Sequence, residues 1–221
     1  MEMLLQNFLN ISIMLDALPL LTRGLGMTAL LCLAVIPLGL SGGLLVALLA
    51  RAKSKWFRIS VICFIDFFRA VPPLVLLIFI YSGLPFAGIE ISPFSAVCLG
   101  FFLNNSAYYA EIYRSGIESI GFGQMEAARS TGLNNFQSMF YIILPQATRN
   151  VLPDLLSNTI EVVKLTSIAS VVAFQELLYS ADMARSLTYN SSPIVFAASI
   201  YLIILWPAVR LLSRLEHRVG Q

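Results

Sequence analysis

Residues 126–145 read EAARSTGLNNFQSMFYIILP, a polar, punctuated stretch set between long apolar runs. Glu126-Ala127-Ala128 can open a helix, since an acid is favourable near a helix N-terminus. The two alanines leave a surface that another chain can approach closely. Gly132 suits a helix C-cap, where a left-handed conformation is needed. Asn134 can then cap a second short helix over residues 135–142, and Pro145 marks its exit. From the residues alone this is a helix-turn-helix loop.

What surrounds the stretch decides its setting. The chain has 221 residues, 58% of them apolar, with a mean hydropathy of +0.82. Charged residues make up 12%, about half the usual share of a soluble domain. That composition and the apolar runs indicate an integral membrane protein. A net charge of +2 is too small to suggest a nucleic-acid partner. Cys32, Cys63 and Cys98 fall within apolar runs, odd in number and without metal-site spacing, and read as small core hydrophobes. His217 is the only histidine, which argues against a catalytic triad or a multi-histidine metal site. No G-x-x-x-x-G-K-[ST] loop is present, so the chain does not bind ATP by a P-loop. No basic residue precedes Arg23, so the first apolar run reads as retained rather than cleaved.

Five spans follow from the hydropathy pattern, at about 24–50, 59–82, 93–115, 152–174 and 193–212. Residues 1–20 read as a short interfacial helix. Gly39, Gly42 and Gly43 give the first span a small-residue face for close packing, and Pro37 can kink it. The loop from Arg51 to Arg58 carries four basic residues and no acid. It belongs inside the cell, with Trp56 at headgroup level. The tail with Arg210, Arg214 and Arg218 belongs there too. These clusters set an N-out, C-in topology, with the loop at about 116–149 cytoplasmic. In the second span Asp66 and Arg69 can pair on one face, and Val71-Pro72-Pro73 should break the helix. In the third, Asn104, Tyr108, Glu111 and Ser115 fall on one face.

The spacing of the opening stretch is specific. Glu126-Ala127-Ala128, three residues, Gly132, nine residues, Ile142, one residue and Leu144-Pro145 resemble the EAA loop of ABC importer permeases. The segment 109–120 with Gly123-Gln124, the segment 68–74 (FRAVPPL), Lys164 to Ile168 and Leu18 to Gly24 resemble the polar amino-acid branch, the histidine/glutamate-type permeases. The resemblance covers residue 16 to the C-terminus. It implies one transmembrane permease domain over residues 1–221. The fold it implies is all-α, with five transmembrane helices in the MetI-like permease fold and cytoplasmic coupling helices. It also implies dimerisation with a second copy or a paralogue, an ABC ATPase dimer beneath it, and a binding protein outside. The chain would bind no cofactor, with ATP and Mg on the partner ATPase, and would reside in the bacterial inner membrane. By direct motif match Glu126, Ala127, Ala128 and Gly132 would be the ATPase-docking residues.

The fourth span carries the candidate substrate path. Asp154, Ser157, Asn158, Glu161, Lys164 and Ile168 recur at three- and four-residue spacings. A charged group in a membrane helix costs about 2.5–3.5 kcal/mol on insertion scales, so such groups should face a partner helix or a wet cavity. Two readings stand: a Glu161–Lys164 pair that neutralises itself, or a polar wall that meets an amino-acid zwitterion. In the family this chain resembles, members that carry cationic substrates often have Asn-Glu at the positions of Ser157-Asn158, and the family commonly has an Asp where Leu165 stands; Glu161, one turn away, could substitute for the missing acid. A polar amino acid is expected, with its charge type open. Asn104 and Asn105 are further path candidates, and helix packing is the alternative for them. Two rival classes are an ion-gradient secondary transporter and a membrane enzyme. The lack of a detectable repeat argues against the first. The near absence of histidine and of clustered nucleophiles argues against the second.

Overall fold

A computed structural model describes the backbone of residues 2–219, with the side chains of residues 2, 4, 5 and 215–219 left out. The side chains of His217 and Arg218 therefore lie outside the described part of the structure. All regular structure among the described residues is helical. The elements are α1 (Glu2–Phe8), α2 (Ile11–Leu49), α3 (Lys55–Ala70), α4 (Pro73–Gly83), α5 (Pro93–Glu118), α6 (Phe122–Ser130), α7 (Asn135–Gln137), α8 (Leu144–Asn150), α9 (Leu152–Leu165), α10 (Leu177–Thr188) and α11 (Ser192–Val219). Short 3-10 segments cover Leu84–Ala87 and Thr166–Val172, and a π turn covers Ser138–Ile143.

Several boundaries differ from expectation. The short helix expected over residues 1–20 is confined to α1, because α2 starts at Ile11 and runs 39 residues through Pro19 and Pro37. At 1.5 Å per residue it is ~58 Å long, well beyond a hydrocarbon core of about 30 Å. The expected second span is two helices, α3 and α4, broken at Val71-Pro72 as the double proline dictates. The expected loop at 175–192 contains α10. Among the described residues, three helical stretches are long and apolar enough to cross a bilayer, or four if the broken pair counts as one. The expected third span is a helix at the right place, α5. It falls short on composition because Asn104, Asn105, Glu111 and Arg114 dilute its hydropathy. Cys63 is exposed within the chain rather than in a core.

The chain divides into two compact units, each with its own core. The first comprises residues 1–37, 72–101 and 160–211. Its core gathers Ala17 and Leu21 of α2, Leu177, Ala181 and Ala184 of α10, and Ala197 of α11. Small alanines let these helices approach closely. Polar ties secure the N-terminal end: Ser191 N–H donates to Asn7 O at 3.0 Å and Asn190 Nδ2 to Gln6 O at 2.8 Å. Leu202, Ile203 and Trp206 of α11 are 64%, 71% and 61% exposed. A lone apolar face of this kind needs a bilayer or another chain against it.

The second unit comprises residues 38–71, 102–159 and 212–221. Ala47, Ile65, Tyr109, Ala110, Tyr113, Val151 and Leu155 form its main core. Gly42 and Gly43 explain how α2 seats on α5. A Cβ on Gly43 would collide with the Tyr109 side chain and lie 3.0 Å from the Ala110 backbone nitrogen. A Cβ on Gly42 would collide with Ser106 and Phe102. The small-residue face expected from the sequence is therefore a contact surface.

Candidate functional site

The polar stretch folds as a compact helical knob. α6 begins at Phe122 with Gly121 before it, so Glu126 sits in mid-helix and does not open it. Glu126 and Ala127 are exposed, while Ala128 is 6% exposed and turned into the knob. The expected pair of presented alanines is thus one. Thr131 N–H donates to Ala127 O at 3.3 Å and Gly132 N–H to Arg129 O at 3.0 Å. Gly132 has φ +92°, and a Cβ there would meet nothing within 4 Å. Backbone conformation, not space, calls for glycine at this position.

Asn134 caps the next helix by a reciprocal pair. Its Oδ1 accepts from Gln137 N–H at 2.9 Å, and Gln137 Oε1 accepts from Asn134 N–H at 3.0 Å. This is a capping box. The helix does not leave at Pro145. A π turn over Ser138–Ile143 precedes α8, in which Pro145 takes the first turn. Leu144 N–H donates to Met139 O, five residues back. Proline is tolerated there because the first turn of a helix needs no donor from it, so the chain continues as helix to Asn150. Ile117, Ile143 and Ala147 form the core beneath, joined by Met125, Met139 and Ile142. Phe122, Phe136 and Tyr141 stand out from the knob at 90%, 67% and 70% exposure. Sequence reasoning passed over these aromatics; their signal was large apolar residues inside a polar loop.

The candidate path residues are distributed over both units. Ser157 and Asn158 are half-buried in the second unit, and among the described residues no hydrogen-bond partner reaches the buried Asn158 Nδ2. Glu161 and Lys164 belong to the first unit, where they pair with each other with side chains 58% and 48% exposed. Asn104 and Asn105 are each 2% exposed. Asn104 Nδ2 donates to Phe68 O at 2.8 Å, while Asn105 Nδ2 has no partner within the chain. Lys164, Ser167 and Tyr201 border a largely apolar cavity of about 540 Å³ within the first unit.

Comparison with known proteins adds to this geometry. Residues 39–221 match the family described as binding-protein-dependent transport system inner membrane component. The chain belongs to that family. The permease is 37% identical over 196 residues to a probable amino-acid ABC transporter permease protein, YckA, of Bacillus subtilis, covering 88% of this chain and 87% of that one. It is 36% identical over 210 residues to the glutamine transport system permease protein GlnP of Escherichia coli K12, with 92% and 94% covered. A solved amino acid ABC transporter with histidines matches with TM-score 0.85 and 37% identity, covering 95% of this chain and 98% of that one. The MetNI methionine ABC transporter, captured facing inward, matches with TM-score 0.74 at 19% identity, over 92% of this chain and 98% of that one, which supports the fold.

Two further features of the permease were not foreseen. Glu176, which falls between the expected fourth and fifth spans, has no exposed surface. Its carboxylate caps α10, accepting from Leu178 and Tyr179 N–H at 2.7 Å each and from Tyr201 Oη at 3.1 Å. Leu177 N–H beside it donates to Thr28 Oγ1 at 3.1 Å. Burial raises the Glu176 pKa against the opposing pull of these donors. A signal was available: an acid directly before Leu177-Leu178-Tyr179 is a helix-start pattern. The second feature is a charged cavity of about 510 Å³ in the second unit, bordered by Arg51, Arg58, Asp66, Glu111, Arg114 and Glu118. Arg114 bridges Glu111 at 2.5 Å and Glu118 at 2.7 Å. The expected Asp66–Arg69 pair is replaced, because Arg69 turns to Glu111 at 3.8 Å.

Proposed function

We propose that this permease is the transmembrane subunit of an ATP-driven importer of a polar amino acid, working by alternating access. Five spans with the N-terminus outside and C-terminus inside fit the charge pattern. α5 would serve as the third span, its polar face covered by protein rather than lipid. The observation that carries the coupling part is the knob: Glu126 and Ala127 exposed on α6, Gly132 in a left-handed turn, and aromatics around them. Exposed aromatics next to a rigid turn are what a docking surface needs. A separate ATPase, with ATP and Mg, would grip this knob through Glu126, Ala127 and Gly132. Ala128 would support the surface from within.

The permease would act beside a second copy or a paralogue and receive its cargo from an extracytoplasmic binding protein. The bland face of α11 suits the bilayer or the second copy. Amino-acid cargo is supported by the relatives' names, and the half-buried amides of Asn158 and Ser157's hydroxyl offer groups for a zwitterion. The exposed Glu161–Lys164 pair could open to meet cargo or simply neutralise itself. The coupling reading is tested by Glu126→Lys in the assembled transporter. Transport and substrate-stimulated ATP hydrolysis should drop together while the permease stays folded. Normal transport in that variant refutes Glu126 as a docking residue.

A further inference from the structure

α3 ends at Ala70, and Val71 is extended at φ −75° and ψ 126° ahead of the two prolines. In an unbroken α-helix the N–H of residue i+4 donates to carbonyl i. Phe67 O obtains its donor in this way, from Val71 N–H at 3.0 Å. The next two carbonyls, of Phe68 and Arg69, would look to residues 72 and 73. Both are prolines and have no N–H to give. At membrane depth water does not make up such a loss.

α5 supplies both donors, one turn apart. Asn104 Nδ2 donates to Phe68 O at 2.8 Å, and Tyr108 Oη donates to Arg69 O at 3.3 Å. On the next turn Glu111 lies 3.8 Å from the Arg69 guanidinium, which also stands 5.8 Å from the Tyr108 ring centre. The polar stripe Asn104, Tyr108, Glu111 thus lies along the broken end of α3. We propose that Asn104 and Tyr108 are positioning residues that replace, one for one, the backbone hydrogen bonds deleted by Pro72 and Pro73. They fix the end of α3 against α5. A polar pair of this kind sets a register that apolar packing alone lets slide. Asn104 then acts on the helix end and leaves the cargo path.

The test is a double-mutant cycle on the full-length chain. Asn104→Leu should lower the thermal midpoint by about 2–4 °C. In a Pro72→Ala/Pro73→Ala background, where both N–H groups return, the same change should cost less than half as much. Tyr108→Phe against Pro73→Ala gives a milder version of the cycle that leaves Pro72 and Asn104 intact. Equal costs with and without the prolines, in either cycle, overturn the proposal. A second arm rests on the importer reading: in the assembled transporter Asn104→Leu should lower the maximal uptake rate with KM and the amino-acid competition profile unchanged. A raised KM or an altered profile with an unchanged midpoint makes Asn104 a cargo ligand and overturns the proposal. Absence of ATP-driven uptake in the unaltered transporter refutes the importer reading instead, and the midpoint cycle still decides this one.

Discussion

Gly132 offers a graded test of the knob. Its φ of +92° lies in the left-handed region, and open space surrounds the position where a Cβ would stand. The cost of a side chain there is therefore purely conformational, about 1–2 kcal/mol for a residue such as alanine. Asparagine visits the left-handed region more readily, and a β-branched residue less so. We predict that Gly132→Asn retains most transport, Gly132→Ala loses part of it and Gly132→Val loses most. A cost of about 1.4 kcal/mol on the knob's docking conformation reduces its population about tenfold relative to the alternatives. The global fold should survive, since the core beneath, Ile117, Ile143 and Ala147, is untouched. The assay is amino-acid uptake per ATP hydrolysed in reconstituted transporter, alongside the thermal midpoint of the permease. Equal activity across all three variants, or a loss that follows side-chain volume with Asn as harmful as Val, would refute the conformational argument.

Other expectations follow from the same geometry. Asn134→Ala removes the capping box and should destabilise the knob by about 0.5–2 kcal/mol, read as earlier proteolysis within residues 131–137; unchanged cleavage counts against the cap. Gly43→Ala drives a Cβ into Tyr109 and should cost about 1–3 kcal/mol by overpacking, visible as a lowered midpoint that Gly26→Ala, in open space, does not share. Glu176 prefers its proton in the folded state, so it adds most to stability below the ordinary carboxylate value of 4.5, and that contribution is lost as pH rises toward its raised pKa. Glu176→Gln should flatten that part of the midpoint-versus-pH curve; a parallel curve sinks the assignment. Asn158→Leu and Glu161→Gln should shift the amino-acid competition profile if those side chains meet cargo. Unchanged profiles in both leave them as packing.

Much of the all-helical fold was legible in the sequence because its long apolar runs suit helices that a bilayer can hold. The double proline at 72–73 announced its break, and Gly132 and Asn134 announced a turn and a cap. What escaped was decided by partners distant in sequence. Asn104 read as either a path group or a packing group, and its bond to a carbonyl 36 residues away has no local signal. Arg69 read as the mate of Asp66, yet Glu111 on α5 takes it. The burial of Glu176 escaped because nothing local shows that Tyr201 and Thr28 close over its helix start. Pro145 read as an exit, since a π turn that re-phases the helix ahead of a proline leaves no local pattern. The helical knob was legible in its turn glycine, Gly132, while the inward turn of Ala128 depended on the core below it.

The account rests on this chain being driven by ATP through other subunits. The most direct measurement is amino-acid uptake into proteoliposomes holding the permease, with its ATPase and binding protein added or withheld one at a time. The account predicts uptake only when the permease, the ATPase, the binding protein and ATP are all present, and no uptake from ion gradients. Uptake by the permease alone, powered by a sodium or proton gradient, would contradict it.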